Sequence, residues 1–341
     1  MSPARLAISS LVLSTLILSA CGSSNPDDRG GSAPSGDSRR DAFPITIDHR
    51  HGRTEIAAPP ERVVTVGLTD HDAFLALGVV PVGVTDWYGD HPSATWPWAR
   101  DELGGARPQI VGDATQLNFE AIAALEPDVI EGLYSALDEK TYETLSKIAP
   151  VVAQPDSHVD YGVPWQELTL TVGRIIGRED RAGQLVAAVE ERVAEIRRDH
   201  PEFVGASVAL AAPFEGIYVY SPKVANGRLI TSLGFEIPGE IASLVGDSDG
   251  ANLSIERVDL LDVDVMIWID GVAGEGPLDE PVYQELSVHE QGREVLLAST
   301  GDLGAASFVS VLSIPFLLDD LVPMLANAVD GDPGTVVPDD V

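Results

Sequence analysis

The residues best suited to chemistry gather in a few short stretches. "TDWYGDHPSATWPWAR" (Thr85–Arg100) holds three of the five tryptophans, Trp87, Trp96 and Trp98, with Tyr88 among them. Gly89, Pro92 and Pro97 make it a loop rather than a strand or helix. An indole offers a flat apolar face and one polar N–H edge, which suits holding a bulky organic ligand. One of the three is expected to anchor the loop to its own lobe and one or two to face a ligand, in the order Trp87, Trp98, Trp96. A second stretch, "YVYSPKVANGR", sets Tyr218, Tyr220 and Arg228 around a turn. Arg228 follows Asn226-Gly227 and opens a helix, where its charge opposes the helix dipole. A guanidinium there can donate paired N–H bonds to the oxygens of an anionic ligand group such as a carboxylate. Tyr134, Phe308 in "GAASF", and Tyr161 and Trp165 in "VDYGVPWQE" complete the aromatic set, with Trp165 equally suited to a core; Trp268 in "DVMIWID" reads as core.

Other chemistries are poorly represented. No GxSxG, Walker or GxGxxG sequence occurs, which removes the commonest hydrolase, nucleotide and dinucleotide readings. The seven histidines include no HExxH; His49 and His51 suit one side of a strand, and direct metal binding would need His71, His158 and an acid to converge. No protein-held metal or cofactor is therefore assigned. Asp70 and Asp270, on opposite halves, are the pair an enzyme would use, but nothing in the sequence activates either. The formal charge is −33, or −34 (20 basic against 54 acidic residues) once residues 1–20 with their single Arg5 are removed. Nucleic acid is a poor partner for such a chain.

The N-terminus reads as a leader. Met1–Ala20 has one positive charge and then an uncharged apolar run too short to span a bilayer comfortably. It ends in Leu18-Ser19-Ala20-Cys21, which resembles the lipobox of bacterial lipoproteins, implying that Cys21 is lipidated and becomes the mature N-terminus. Cys21 is also the chain's one cysteine, so no intramolecular disulfide forms. Residues 21–42 are rich in Gly, Ser and Pro, a flexible tether. The protein is expected outside the cytoplasm, held to the cell membrane by lipid.

The elements that must position the aromatic stretches show an internal echo. "NFEAIAALEPDVIEGLY" (Asn118–Tyr134) and "SIERVDLLDVDVMIWID" (Ser254–Asp270) share one spacing, an N-cap, a short amphipathic helix and a buried parallel strand. Upstream, "RVVTVGLTDHDAFLALGVVPVGV" and "GIYVYSPKVANGRLITSLGFEIP" each read as strand, loop, helix and Leu-Gly C-cap at Gly78 and Gly234. Between the halves, Arg178–His200 carries Ala182, Leu185, Val186, Val189, Val193 and Ile196 on one face, a single rod about 30 Å long. The expected fold is α/β: an N-terminal lobe over 43–177, a connecting helix over 178–200, a C-terminal lobe over 201–330 and a tail over 331–341. Two lobes on a stiff helix face each other across a cleft, where strand ends and their loops hold ligand.

The ordered set of lipobox, tether, "PERVVTVGLTDHDAFLALGVVPVGV", "LEPDVI", "LSKIAP", linking helix, "SLGFEIP", "LLDVDVMIW" and "GREVLL" resembles the ferric-siderophore-binding lipoproteins of ABC importers, within the class III substrate-binding proteins. The resemblance implies two Rossmann-like lobes joined by a single long backbone helix. It also implies little closure on binding, a ferric siderophore as ligand, no cofactor beyond iron in its chelate, a monomer, no enzymatic activity and delivery to an ABC permease. It places Tyr134 at a ligand-contacting tyrosine of the ferric hydroxamate-binding relatives, and Ala114 where those relatives offer an arginine. It implies one acidic docking residue per lobe, Glu143 in the first and Glu236 or Glu240 in the second. Haem, cobalamin or a bare metal ion are the alternative ligands; a secreted enzyme or an adhesion or signalling lipoprotein are the alternative classes.

Overall fold

The structure, a computed structural model, describes residues 42–214, 216–270, 276–297 and 300–332. Cys21, the leader, nearly all of the tether and most of the expected tail lie outside the described residues. A hairpin of β1 (Ile45–His49) and β2 (Gly52–Ile56) opens the chain, and its buried Ile47 and Ile56 join the first lobe's core. His49 and His51 stack around Tyr142, and hydrogen bonds from their rings reach Thr54 Oγ1 and the Leu137 carbonyl.

The first sheet runs β5-β4-β3-β6-β7 and every neighbouring pair is parallel. Its strands are β3 (Val63–Thr65), β4 (Gly83–Asp86), β5 (Gln109–Asp113), β6 (Val129–Gly132) and β7 (Val151–Ala153). Helices α1 (His71–Ala76), α2 (Phe119–Ala124), α3 (Glu139–Leu145) and α4 (Trp165–Ile175) connect or flank them. β3, β6 and β7 are buried along their length, as a sheet covered on both faces requires. Asn118 caps α2 by accepting from Ala121 N at 3.0 Å.

Helix α5 (Glu179–Asp199) is the expected rod, 21 residues long. Ala182, Val186, Val189 and Ile196 are buried, while Glu179 and Asp180 lie at its positive end and Arg197 and Arg198 at its negative end. It approaches α4 closely at Gly173, where a Cβ would stand 2.4 Å from that of Ala182.

The second sheet runs β10-β9-β8-β11-β12, with strands β8 (Val208–Ala212), β9 (Ile217–Tyr220), β10 (Gly250–Leu253), β11 (Val265–Ile269) and β12 (Glu294–Leu297). Helices α6 (Ala225–Ser232), α7 (Gly239–Val245), α8 (Pro281–Gln284), α9 (Ser287–Glu290), α10 (Thr300–Phe308) and α11 (Ser313–Val329) belong to this lobe. β8, β11 and β12 are parallel, but β9 is antiparallel to both of its neighbours.

The downstream echo is structural. β6 and β11 take the same place, beside the central strand of their own sheet. The segment before β11, Ile255–Leu261, is a 3-10 helix rather than an α-helix, which its i, i+3, i+6 apolar spacing fits, and Ser254 Oγ accepts from Glu256 N. The upstream echo is not structural: β3 is central, whereas β9 takes the place of β4 and runs the other way. Only residues 213–216 separate β8 from β9, enough for a hairpin turn but not for the crossover a parallel pair needs.

Candidate functional site

The first-lobe wall is built on two strand ends held by buried carboxyl groups. Asp70 Oδ1 accepts from Leu133 N at 3.0 Å and Tyr134 N at 2.9 Å, and Glu131 Oε1 accepts from Leu133 N at 2.8 Å. Burial, the adjacent Asp70 carboxylate and a hydrogen bond with it push the Glu131 carboxyl well above its usual range. Glu131 is thus the donor of the pair and Asp70 the acceptor. Gly67 is required here, because a Cβ would fall 1.6 Å from Asp70 Oδ2. The pair fixes the turn that presents Tyr134, whose ring meets Tyr161 edge-on at 5.7 Å. Asp70 is fully buried and occupied by this turn, whereas Asp270 is exposed on the other lobe. The two do not form an acid pair.

The second-lobe wall comes from one sheet face and the start of α6. Tyr218 and Tyr220, two apart on β9, share a face and meet at 5.3 Å, nearly perpendicular. Asp270 directly follows β11 with φ 62°, a left-handed conformation that Asp tolerates better than most residues. Between the walls lies a cavity of about 550 Å³ touched by Leu68, Trp87, Tyr134 and Tyr161 from the first lobe and Tyr220, Val224 and Asp249 from the second. A second hollow of about 490 Å³, lined by Tyr88, Tyr218 and Asp270 among others, shares Tyr220 and Ser307 with it. Burial raises the Tyr88, Tyr134 and Tyr218 hydroxyls to about 12, with a hydrogen bond to Asp249 adding to the effect at Tyr218. These phenols therefore stay protonated at neutral pH and act as hydrogen-bond donors.

The tryptophan loop divides. Trp87 lines the cavity. Trp96 is 1% exposed, stacked on Trp98 at 5.1 Å and 12°, and so close to α10 that a Cβ at Gly304 would lie 2.1 Å from its ring. Trp98 packs against the second lobe's core and donates its Nε1–H to Asp72 Oδ2 at 2.8 Å. Phe308 is also buried, with rings of Trp87, Trp96 and Trp98 within 5.3–5.6 Å. Trp96, Trp98 and Phe308 thus join the lobes instead of facing ligand. Trp96 has no surface left to offer, while the half-buried Trp98 is committed to the joint through its stacking and its hydrogen bond to Asp72. Asp72, which the sequence did not single out, is at the centre of this joint and also accepts from Ser310 Oγ at 2.5 Å. Val309, at φ 44°, reverses the chain so that Phe308 and Ser310 both meet the first lobe.

The remaining expectations resolve as follows. Arg228 lies in the first turn of α6; one guanidinium nitrogen donates to the Lys223 carbonyl and Nη2 is buried without a hydrogen-bond partner. It stands near enough to Tyr134, which lines the cavity, to offset part of the burial effect on that phenol. Trp165 packs against the second lobe's core and borders a hollow of only about 10 Å³. Ala114 is on the cavity wall. His71 is buried beside Asp72 and edge-on to Phe308, while His158 pairs with Glu167 at 2.7 Å, so the two serve different contacts. No cluster of three His, Cys, Asp or Glu side chains suited to a metal occurs among the described residues. Trp268 is core, donating to Tyr283 at 2.8 Å.

Glu143, Glu236 and Glu240 are all exposed. Glu143 is on α3, the helix leaving the cleft end of the first lobe. Glu236 pairs with Ser207 and Val208 at the start of β8, the end opposite the cleft, and Glu240 opens α7, whose far end leads to Asp247 and Asp249 at the cavity.

Known proteins resemble this arrangement over most of its length. The Fe(3+)-citrate-binding protein YfmC of Bacillus subtilis is 25% identical over 293 residues, 84% of this chain and 86% of that protein. A periplasmic solute binding protein of Mycobacterium smegmatis is 33% identical, with a TM-score of 0.73 over 84% of this chain and 98% of its own. PiaA of Streptococcus pneumoniae, solved in complex with ferrichrome, is 26% identical with a TM-score of 0.75, covering 84% and 99%. The family model for the periplasmic binding proteins matches residues 63–286, and the chain, with two α/β lobes of the class III arrangement around one long helix, belongs to that family.

Proposed function

We propose that the protein is an extracytoplasmic receptor that binds a ferric siderophore in its inter-lobe cleft and delivers it to an ABC permease for iron uptake. One observation carries this reading: a cavity of about 550 Å³ between the lobes of a binding-protein fold, walled by Trp87, Tyr134, Tyr161 and Tyr220. That volume and composition suit an organic chelate of drug-like size. The relatives support the ligand class, since one is named for Fe(3+)-citrate and another was solved with ferrichrome. Protonated phenols serve as hydrogen-bond donors to chelate oxygens.

Trp87, Tyr88, Tyr134, Tyr161, Tyr218 and Tyr220 are the proposed contacts. Arg228, near Tyr134 and with Nη2 unpartnered, is proposed as a further contact. The proposed organisation is leader 1–20, tether 21–42, lobes 43–177 and 201–330 around the helix, and tail 331–341, with Cys21 carrying the lipid and the receptor acting as a monomer. Among the described residues no helix is long and apolar enough to cross a membrane. Glu143 is the proposed first-lobe docking residue. Titration of tryptophan fluorescence with a panel of ferric siderophores tests the receptor role: saturable quenching is expected from at least one, and its absence throughout the panel would refute it.

A further inference from the structure

The cleft's charge separates classes of chelate. Its lining holds the acids Asp160, Asp247, Asp249 and Asp270 but one basic side chain, Lys223. Lys223 Nζ is held by Asp247 at 2.7 Å and by the Gly246 carbonyl at 3.2 Å. Asp160 is matched by Arg50 at 2.5 Å. Among the described residues, Asp249 and Asp270 have no Lys, Arg or His at ion-pair distance; their neighbours are the Tyr218, Tyr220 and Tyr88 phenols. The first-lobe wall presents Leu68, Ala114 and aromatic rings but no cation; Arg228 of α6, close to Tyr134, has one guanidinium nitrogen committed to the Lys223 carbonyl.

Resting on the receptor reading, we infer that the cleft takes uncharged or cationic ferric chelates of the trihydroxamate type and discriminates against polyanionic ones such as ferric citrate. A neutral chelate lays its arms on Trp87, Tyr134 and Tyr220 without meeting like charge. A chelate with a protonated amine gains more, because Asp249 and Asp270 lie within reach of the same wall and the phenol faces beside them favour a cation. A polyanion meets carboxylates that have no cationic partner, and the repulsion acts within the Debye length of about 8 Å at physiological salt. The carboxylate-chelating relative and this chain thus share a fold but differ in the charge class admitted.

The test titrates the full chain with ferrioxamine B (cationic), ferrichrome (neutral) and ferric citrate (anionic), following tryptophan quenching at low and physiological salt. Ferrioxamine B and ferrichrome are expected to bind at least about tenfold more tightly than ferric citrate. Asp249→Asn with Asp270→Asn is expected to weaken ferrioxamine B by about three- to tenfold more than it weakens ferrichrome at low salt, a difference that shrinks at physiological salt. Tightest binding by ferric citrate, or ferrioxamine B binding indifferent to the double substitution, overturns the charge inference and leaves the receptor role intact. Saturable quenching by none of the three, nor by any other ferric siderophore, overturns the receptor role itself.

Discussion

Two aromatic groups a few ångströms apart use the same side chains for opposite purposes. Trp96, Trp98 and Phe308 are packed ring against ring and closed over by Gly304, whereas Trp87, Tyr134 and Tyr220 keep one side on a cavity of about 550 Å³. The first group joins the lobes and sets their spacing. The second inherits that spacing as the width of the cleft. Trp87 touches both, lying 5.5 Å from Phe308 while lining the cavity. Aromatic residues in a loop are therefore not all ligand contacts, and the dividing property is whether both faces are covered.

The division can be broken first at its most buried member. Trp96→Ala removes a fully packed indole and should cost about 3–5 kcal/mol, lowering Tm on the order of 10 °C in a thermal melt. A shift under a few degrees would place Trp96 outside the joint. Asp72→Ala leaves Trp98 Nε1 and Ser310 Oγ without their shared acceptor and should cost about 2 kcal/mol. Combined with Ser310→Ala in a double-mutant cycle, it should show about 1 kcal/mol of coupling across the lobes, and strict additivity would remove Ser310 from the latch. Trp87→Ala should behave oppositely to Trp96→Ala. It should weaken chelate binding about tenfold or more, with a stability loss near 1 kcal/mol.

The smallest effect sharpens how the cleft turn is held. Glu131 holds its proton in the folded protein to a pH well above its ordinary value of 4.5. A raised carboxyl value means that its contribution to stability is fully present below that ordinary value and is lost as pH rises toward the folded-state value. Glu131→Gln keeps a donor for Asp70 but does not titrate. The melting temperature of Glu131→Gln relative to the unsubstituted protein should therefore climb between pH 5 and 8. A constant difference would show that the Asp70 and Glu131 pair shares no proton.

Much of the fold was legible from periodicity. α5 could be read from its apolar stripe, and β6 and β11 from "DVI" and "DVMIW", because those signals depend on local sequence alone. The direction of β9 was not, since its run "IYVY" reads the same in either orientation and only the short link after β8 decides it. In the cleft, Trp87, Tyr134 and Tyr220 followed from their places after or within strands. Trp98 and Phe308 were misread as ligand-facing, and Trp96, placed last of the three, anchors the loop, because these contacts join the tryptophan loop to α10, more than 200 residues away. One signal was available and passed over: Asp72, next to Asp70 and His71, immediately precedes "AFLAL", and Glu131 interrupts an apolar strand. Polar groups at core positions call for specific partners, and here those partners position the cleft.

The most direct test is a crystal structure of the protein soaked with ferrichrome, recorded at the iron absorption edge. The account predicts one anomalous peak between Trp87 and Tyr134 of the first lobe and Tyr220 of the second, with the Trp96, Trp98 and Phe308 joint unchanged. An iron peak outside that cleft, or one held directly by protein side chains with the chelator lost, would contradict it.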